Sequence, residues 1–150
     1  DRTYHAALEH RVGTVVRLWG DCILIDPYVV NDVINHHFGY DSDYTYNIGF
    51  PKGLNCHVLE FPTLKKMWQE LKDPIDRALF ARWAMRNLKH LEYANYKPLD
   101  SISWCVDYPQ DLEFTRFVFS RLQGIFGWEE IMPLWIEWKK LKTGNFGILS

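Results

Sequence analysis

Two apolar runs in this chain each end at a carboxylate, with a proline soon after. Val15-Val16-Arg17-Leu18-Trp19 leads into Gly20-Asp21-Cys22-Ile23-Leu24-Ile25-Asp26-Pro27, and Ile102 to Val106 leads into Asp107-Tyr108-Pro109. Proline is tolerated in the first turn of a helix, where its missing N–H would be unsatisfied anyway. Each run therefore reads as a buried strand that turns into a helix. Strands alternating with helices call for an α/β layer architecture. In such folds a carboxylate at the end of a strand sits where ligands and metals bind. Two of them can share one Mg²⁺, a hard cation that takes oxygen ligands and keeps several waters.

The rest of the chain is consistent with one domain. It has 150 residues, 47% of them hydrophobic, which is enough for a core. The formal net charge of −2 offers no basic field for nucleic acid. The three cysteines, Cys22, Cys56 and Cys105, are odd in number, far apart and set in apolar runs, with no paired spacing that suggests zinc. Reduced, buried thiols in a cytoplasmic protein are the expectation. No stretch reads as a signal peptide, and no apolar run is long enough for a membrane span. Aromatic residues make up 16%, a load that goes to a heavy core or an interface.

Periodicity places a helix over Arg2–Glu9, with Tyr4, Ala7 and Leu8 inward and Asp1 as a possible cap. A buried, parallel-type strand follows over Thr14–Trp19. A helix from Pro27 to about Phe38 turns Val29, Val30, Val33, Ile34 and Phe38 to the core, and Gly39 closes it. Asp43–Asn47 and Cys56–Phe61 read as strands, separated by a loop through Phe50-Pro51-Lys52-Gly53-Leu54. Helical periodicity then runs from Pro62 to about Lys72 and, after the Asp73-Pro74 break, from Ile75 to Leu88, through Ile75, Leu79, Phe80 and Trp83. His90–Pro98 is an irregular or edge-strand link, and Ile102–Val106 a short buried strand. Helices from Pro109 to about Gln123 and from Trp128 to Leu141 complete the domain, 1–142, and a Gly-rich tail, 143–150, reads as loose.

Asp21 and Asp107 are the leading pair for chemistry, although for each taken alone helix capping is the commoner role. Asp26, just before Pro27, is a cap. Cys56 and His57 are adjacent on a strand and so point to opposite faces. His36 and His37, near a helix end, suit the helix dipole or solvent. The Trp128, Trp135, Trp138 stripe has core or interface spacing and lacks the basic surround of a base-stacking platform. Lys139, Lys140 and Lys142 form a solvated helix end. Lys52 is the best candidate for touching an anion, or is simply an exposed turn lysine.

Val15 to Pro27 resembles the VVRxTGDCPLIDP segment of the cytidylyltransferases of spore coat polysaccharide biosynthesis, relatives of the transferases that activate 3-deoxy-manno-octulosonate and acylneuraminate. Asp1-Arg2-Thr3-Tyr4 resembles the helix just before that segment. Phe50-Pro51-Lys52-Gly53-Leu54-Asn55 resembles the family's FPRGLD loop, Leu64 to Asp76 its following helix and DPYER step, and Trp104 to Glu113 its WTVDTPEDLE. The resemblance implies a nucleotide-diphospho-sugar transferase fold, a Rossmann-like α/β sandwich with a mixed sheet and flanking helices. It implies Mg²⁺-assisted transfer of CMP from CTP to a sugar or sugar acid, with release of pyrophosphate. Asp21 and Asp107 would then be the metal-binding and catalytic carboxylates, and Pro51, Lys52, Gly53 and Asn55 the sugar-side loop.

The departures shape the expectations. The family's ARxxSxRLPGK-type nucleotide loop has no counterpart in this sequence, so the fold is expected to be an incomplete, C-terminal portion, active only with its N-terminal half. Trp19 stands for the usual Thr, Ile23 for Pro, Asn55 for Asp, His57 for Glu, Ala78-Leu79 for Glu-His and Tyr108 for Thr. The alternative is a degenerate, non-catalytic partner-binding module of the same fold. A sheet without its first strands leaves an unpaired edge, so a homodimer or a partner chain is expected to cover it. Neither nucleic acid nor membrane is expected as a partner.

Overall fold

The computed structural model describes residues 2–144. Helix α1 (Arg2–Glu9) is followed by β1 (Thr14–Arg17), α2 (Pro27–Gly39), β2 (Tyr44–Ile48), β3 (His57–Glu60), α3 (Phe61–Glu70), α4 (Pro74–Ala78), α5 (Phe80–Asn87), β4 (His90–Ala94), α6 (Pro109–Phe119) and α7 (Trp128–Gly144). Proline occupies the first turn of α2, α3, α4 and α6, so four of the helix starts are written locally in the sequence. The four strands form one mixed sheet in the order β1-β3-β2-β4. β3 runs antiparallel to both neighbours and β4 runs parallel to β2.

Strand alternation divides the core into two layers. Val58 packs on one face with Leu24, Val29, Val33, Leu54, Trp104, Phe114, Val118 and Ile131, under α2, α6 and α7. Its neighbour Leu59 packs on the other with Tyr4, Tyr44, Tyr46, Leu64, Met67 and Phe80, under α1, α3 and α5. Helices cover both faces of the sheet, which is the three-layer α/β arrangement expected from the sequence. Among the described residues, no helix is long and apolar enough to cross a membrane.

Several local expectations are corrected. The run Thr14–Trp19 is not a buried parallel strand. β1 stops at Arg17, pairs antiparallel with β3 and forms one margin of the sheet, with Val16 and Leu18 exposed. Ile102–Val106 forms no strand: its single ladder contact is an isolated bridge between Ser103 and Lys52. The Ile75–Leu88 periodicity is broken at Leu79 into α4 and α5, leaving Ile75 and Leu79 exposed. Leu8 also faces solvent, α1 burying Tyr4 and Ala7, and so does Phe38, because the buried stripe of α2 passes through His37 instead. α6 ends at Phe119; it buries Phe114, Thr115 and Val118, with Phe117 packed partly buried against the same core. The link after α5 is β4, an edge strand, in line with the expectation for His90–Pro98. Asp1 and the Gly-rich tail from residue 145 onward lie outside the described residues, while Thr143 and Gly144 close α7.

His37 is not solvated, although it stands in the last turn of α2. It is buried, with Nδ1 2.9 Å from the Thr45 hydroxyl and Nε2 3.2 Å from Glu60 Oε1. The same Glu60 oxygen accepts a hydrogen bond from the Thr14 hydroxyl at 2.9 Å, so α2, β1, β2 and β3 meet at one polar knot. A buried polar side chain is tolerated when its hydrogen bonds are made, and both ring nitrogens of His37 have partners.

Candidate functional site

The segment 102–106 organises the site through two backbone hydrogen bonds to the Lys52 loop and one to the Asp21 turn. Lys52 N–H donates to Ile102 O at 2.9 Å, and Trp104 N–H donates to Lys52 O at 2.7 Å. Two residues on, Val106 N–H donates to Asp21 O at 2.9 Å. These bonds bring the Asp21 turn and the Lys52 loop to adjacent points on one backbone, and Asp107 follows Val106 directly. Buried backbone donors must find acceptors, and here the acceptors sit on the loops carrying the candidate residues.

The loop is held by a tight turn in which Leu54 N–H donates to Pro51 O at 3.2 Å. Gly53 adopts φ +104, and a Cβ there would meet the Trp104 carbonyl carbon at 3.0 Å and Cys105 N at 3.1 Å. Glycine is required on both counts: the left-handed backbone and the close approach. Asn47 clamps the loop base, donating to Leu54 O at 2.8 Å and accepting from Cys56 N–H at 2.8 Å. Pro51 and Gly53 are therefore buried framework, while the Lys52 side chain is exposed. Asn55 lies at the cavity wall, and its Oδ1 accepts from Gly53 N–H at 3.3 Å.

Between the two loops opens a cavity of about 290 Å³, bordered by Trp19, Asp21, Lys52, Asn55, His57 and the two thiols Cys22 and Cys105. The Asp21 carboxylate is exposed beside it and accepts from Cys22 Sγ at 3.6 Å. Asp107 is exposed just past the cavity wall and does not border it. It does not cap α6 either. Asp111 does, its Oδ2 accepting from Asp107 N–H at 3.1 Å and Tyr108 N–H at 2.8 Å, which leaves the Asp107 carboxylate free of capping duty.

The far wall is formed by Trp19 and His57. His57 is buried, its Nδ1 2.9 Å from the Tyr44 hydroxyl and its ring edge-on to Trp19 at 4.6 Å. Burial, reinforced by the Arg17 charge, pushes its pKa down to about 3, so the ring is neutral at ordinary pH. Arg17 is stacked over Trp19 at 4.5 Å and over Phe80 at 4.7 Å. Burial pushes the Cys22 thiol up to about 12, helped by Cys105 and Asp21, and burial raises Cys105 as well. Both are protonated thiols rather than nucleophiles. Cys56 faces the opposite core layer from His57, as strand alternation requires.

Among the described residues no cluster of three or more His, Cys, Asp or Glu side chains is placed to enclose a metal ion. A closed protein cage is thereby absent. Mg²⁺ is commonly held by only one or two carboxylates, with water and phosphate oxygens completing its shell.

No protein-family model and no curated protein matches the chain by sequence. Its fold is found in a cytidylyltransferase from Leptospira borgpetersenii serovar Hardjo-bovis (strain JB197), with a TM-score of 0.81 over 99% of this chain at 20% identity. The chain spans 65% of the length of that protein. At this identity the likeness shows the fold alone: the chain shares its mixed α/β architecture with that protein.

Trp19, Cys22, Cys105 and His57 border the cavity although sequence reasoning had not assigned them to a site. Cys22 and Cys105 carried a usable signal, since each lies within two residues of a candidate Asp. If Asp21 and Asp107 converge, the thiols must converge too. Trp19 and His57 were marked only as departures from the resembled motifs, and that they meet depends on β1 pairing with β3.

Proposed function

We propose that the Asp21–Lys52–Asp107 face is the metal and phosphate side of a nucleotidyl-transfer site that moves CMP from CTP to a sugar or sugar acid. The carrying observation is the Val106 N–H bond to Asp21 O, which brings the loops of two carboxylates from positions 86 residues apart to neighbouring backbone beside an exposed lysine. The resemblance of both flanking motifs to the spore coat cytidylyltransferases supports the same reading, and so does the shared fold. In the reaction a sugar hydroxyl oxygen bonds to the α-phosphorus, the bond to the β-phosphate oxygen breaks, pyrophosphate leaves and the hydroxyl proton is lost. Bound Mg²⁺ would offset charge on the phosphates. Asp21 and Asp107 would hold the ion. Lys52, which makes no ion pair among the described residues, would meet a phosphate or acceptor oxygen as a point charge. Asn55 would orient the acceptor, with Pro51 and Gly53 fixing the loop.

Calorimetry of the protein with CTP, with and without Mg²⁺, tests this. Mg²⁺-dependent binding is expected, lost in Asp21→Ala and Asp107→Ala while their circular dichroism and melting stay those of the parent. CTP binding that ignores Mg²⁺, or survives both substitutions, removes the carboxylates from the site.

A second reading, a non-catalytic partner-binding module, draws on two other observations. Trp19 and His57 give the acceptor wall an indole and a neutral imidazole. The outer edge of β1, with Val16 exposed, pairs with no strand among the described residues. An open edge is a template for another chain, whether a second copy or a partner. This reading predicts no CTP binding at any Mg²⁺ level, together with self-association in sedimentation velocity. A monomer that binds CTP overturns it.

A further inference from the structure

Arg17, at the end of β1, carries a half-buried charge with no counter-ion among the described residues. Its guanidinium rests over the Trp19 ring at 4.5 Å and the Phe80 ring at 4.7 Å. Stacking on ring faces uses none of the in-plane N–H donors, which form a rigid fork suited to oxyanions. Those donors meet no hydrogen-bond acceptor among the described residues. Burial lowers the Arg17 pKa, as it does for any cation that lacks an opposite charge. Arg17 and Phe80 both border a cavity of about 50 Å³, set between β1 and helices α1, α3, α4 and α5 and open to solvent. The guanidinium end, packed on Phe80, therefore lies at the cavity wall.

The other borders of that cavity match one kind of guest. Arg77, from α4, brings a second guanidinium, anchored by its bonds to Leu71 O and Trp68 O, two residues of the same wall. Thr3, from α1, adds a hydroxyl that makes no hydrogen bond among the described residues. No described residue on the wall is a carboxylate. Two guanidinium groups on one small space favour an anion between them. The space has room for a single phosphate group and is too small for a sugar ring or a base. Donors converging from three elements suit tetrahedral oxygens better than the coplanar pair of a carboxylate, and two positive charges match a dianion. We propose that this cavity binds a phosphate group, with the Arg17 fork as its anchor and Arg77 and Thr3 completing the shell. The site shares no residue with the proposed nucleotidyl-transfer machinery and needs no Mg²⁺.

The test follows the arginine Nε–H resonances of ¹⁵N-arginine-labelled protein, without Mg²⁺ and at constant ionic strength held with chloride. The Arg17 signal is identified by its absence in Arg17→Lys. Inorganic phosphate is expected to move that signal saturably, and acetate to bind about tenfold more weakly or worse. Arg17→Lys keeps the charge but loses the fork, and is expected to weaken phosphate by about tenfold, the worth of a charge-assisted hydrogen bond. Methyl phosphate distinguishes the sources: affinity equal to that of inorganic phosphate assigns the site to the terminal group of a monoester, and exclusion assigns it to the free ion. A phosphate titration that moves the Arg17 signal no further than chloride does overturns the proposal, as does equal affinity for acetate. A phosphate effect that vanishes in Asp21→Ala also overturns it, because the ion is then held at the other site. Should Arg17→Lys fail to fold, calorimetry of phosphate against acetate on the parent protein and on Thr3→Val, expected to weaken phosphate severalfold, decides the matter.

Discussion

At the scale of single residues, the site is held by backbone constraints more than by side-chain contacts. Gly53 is the clearest case, with φ +104 and a virtual Cβ 3.0 Å from the Trp104 backbone. Gly53→Ala is expected to cost about 1–3 kcal/mol, from the strained backbone and the displaced neighbour. Gly20 has open space where a Cβ would go and no left-handed φ. Gly20→Ala should therefore stay within about 0.5 kcal/mol of the parent. Urea midpoints of the two variants check this pair, and equal midpoints would show that the loop does not need its glycine. Lys52 rides on the same turn, so Gly53→Ala is also expected to weaken any anion binding that Lys52 supports. That the Phe50–Asn55 stretch is a Pro/Gly turn was legible from residue type. That its glycine touches Trp104 was not, because 51 residues separate them in the chain.

At the scale of elements, one carboxylate holds two helices. Asp26 Oδ1 accepts from Tyr28 N–H at 2.7 Å and Val29 N–H at 3.2 Å, capping α2. Its Oδ2 accepts from Trp128 N–H at 2.7 Å, satisfying a free donor in the first turn of α7. The capping role follows from Asp before Pro27. The second role needs α7 to return 102 residues later to the same point. Asp26→Ala is expected to cost about 2–4 kcal/mol, a cap plus a buried charged bond. Asp26→Asn keeps one acceptor oxygen and presents an amide to the other donor, so it should fall between the two. Chemical denaturation of the three proteins checks the order, and an asparagine variant as stable as the parent would remove the link to α7.

At the scale of the whole molecule, stability is tied to pH through the buried polar groups that cross the sheet. His57 has its pKa pushed from 6.5 to about 3 by burial and by Arg17. Between those values the unfolded chain binds a proton that the folded chain refuses, so stability is full above pH 6.5 and declines as pH falls toward 3. Urea midpoints measured from pH 7 to pH 4 are expected to fall, and His57→Gln is expected to flatten that slope; an unchanged slope would place the dependence elsewhere. The sequence by itself determined the α/β class, the proline-led helix starts, the Asp26 cap and the two carboxylates at the ends of apolar runs. All of these follow from local chemistry: ring-fixed φ, capping geometry and hydrophobic period. The tertiary structure alone decided that β1 is an exposed antiparallel margin and that 102–106 is a bridge rather than a strand. It also decided that His37 is buried and that Arg17 is left without an acceptor beside a cavity, among the described residues. Those outcomes depend on pairing and packing between residues tens of positions apart, and periodicity carries no information about which partner a strand or a guanidinium will meet.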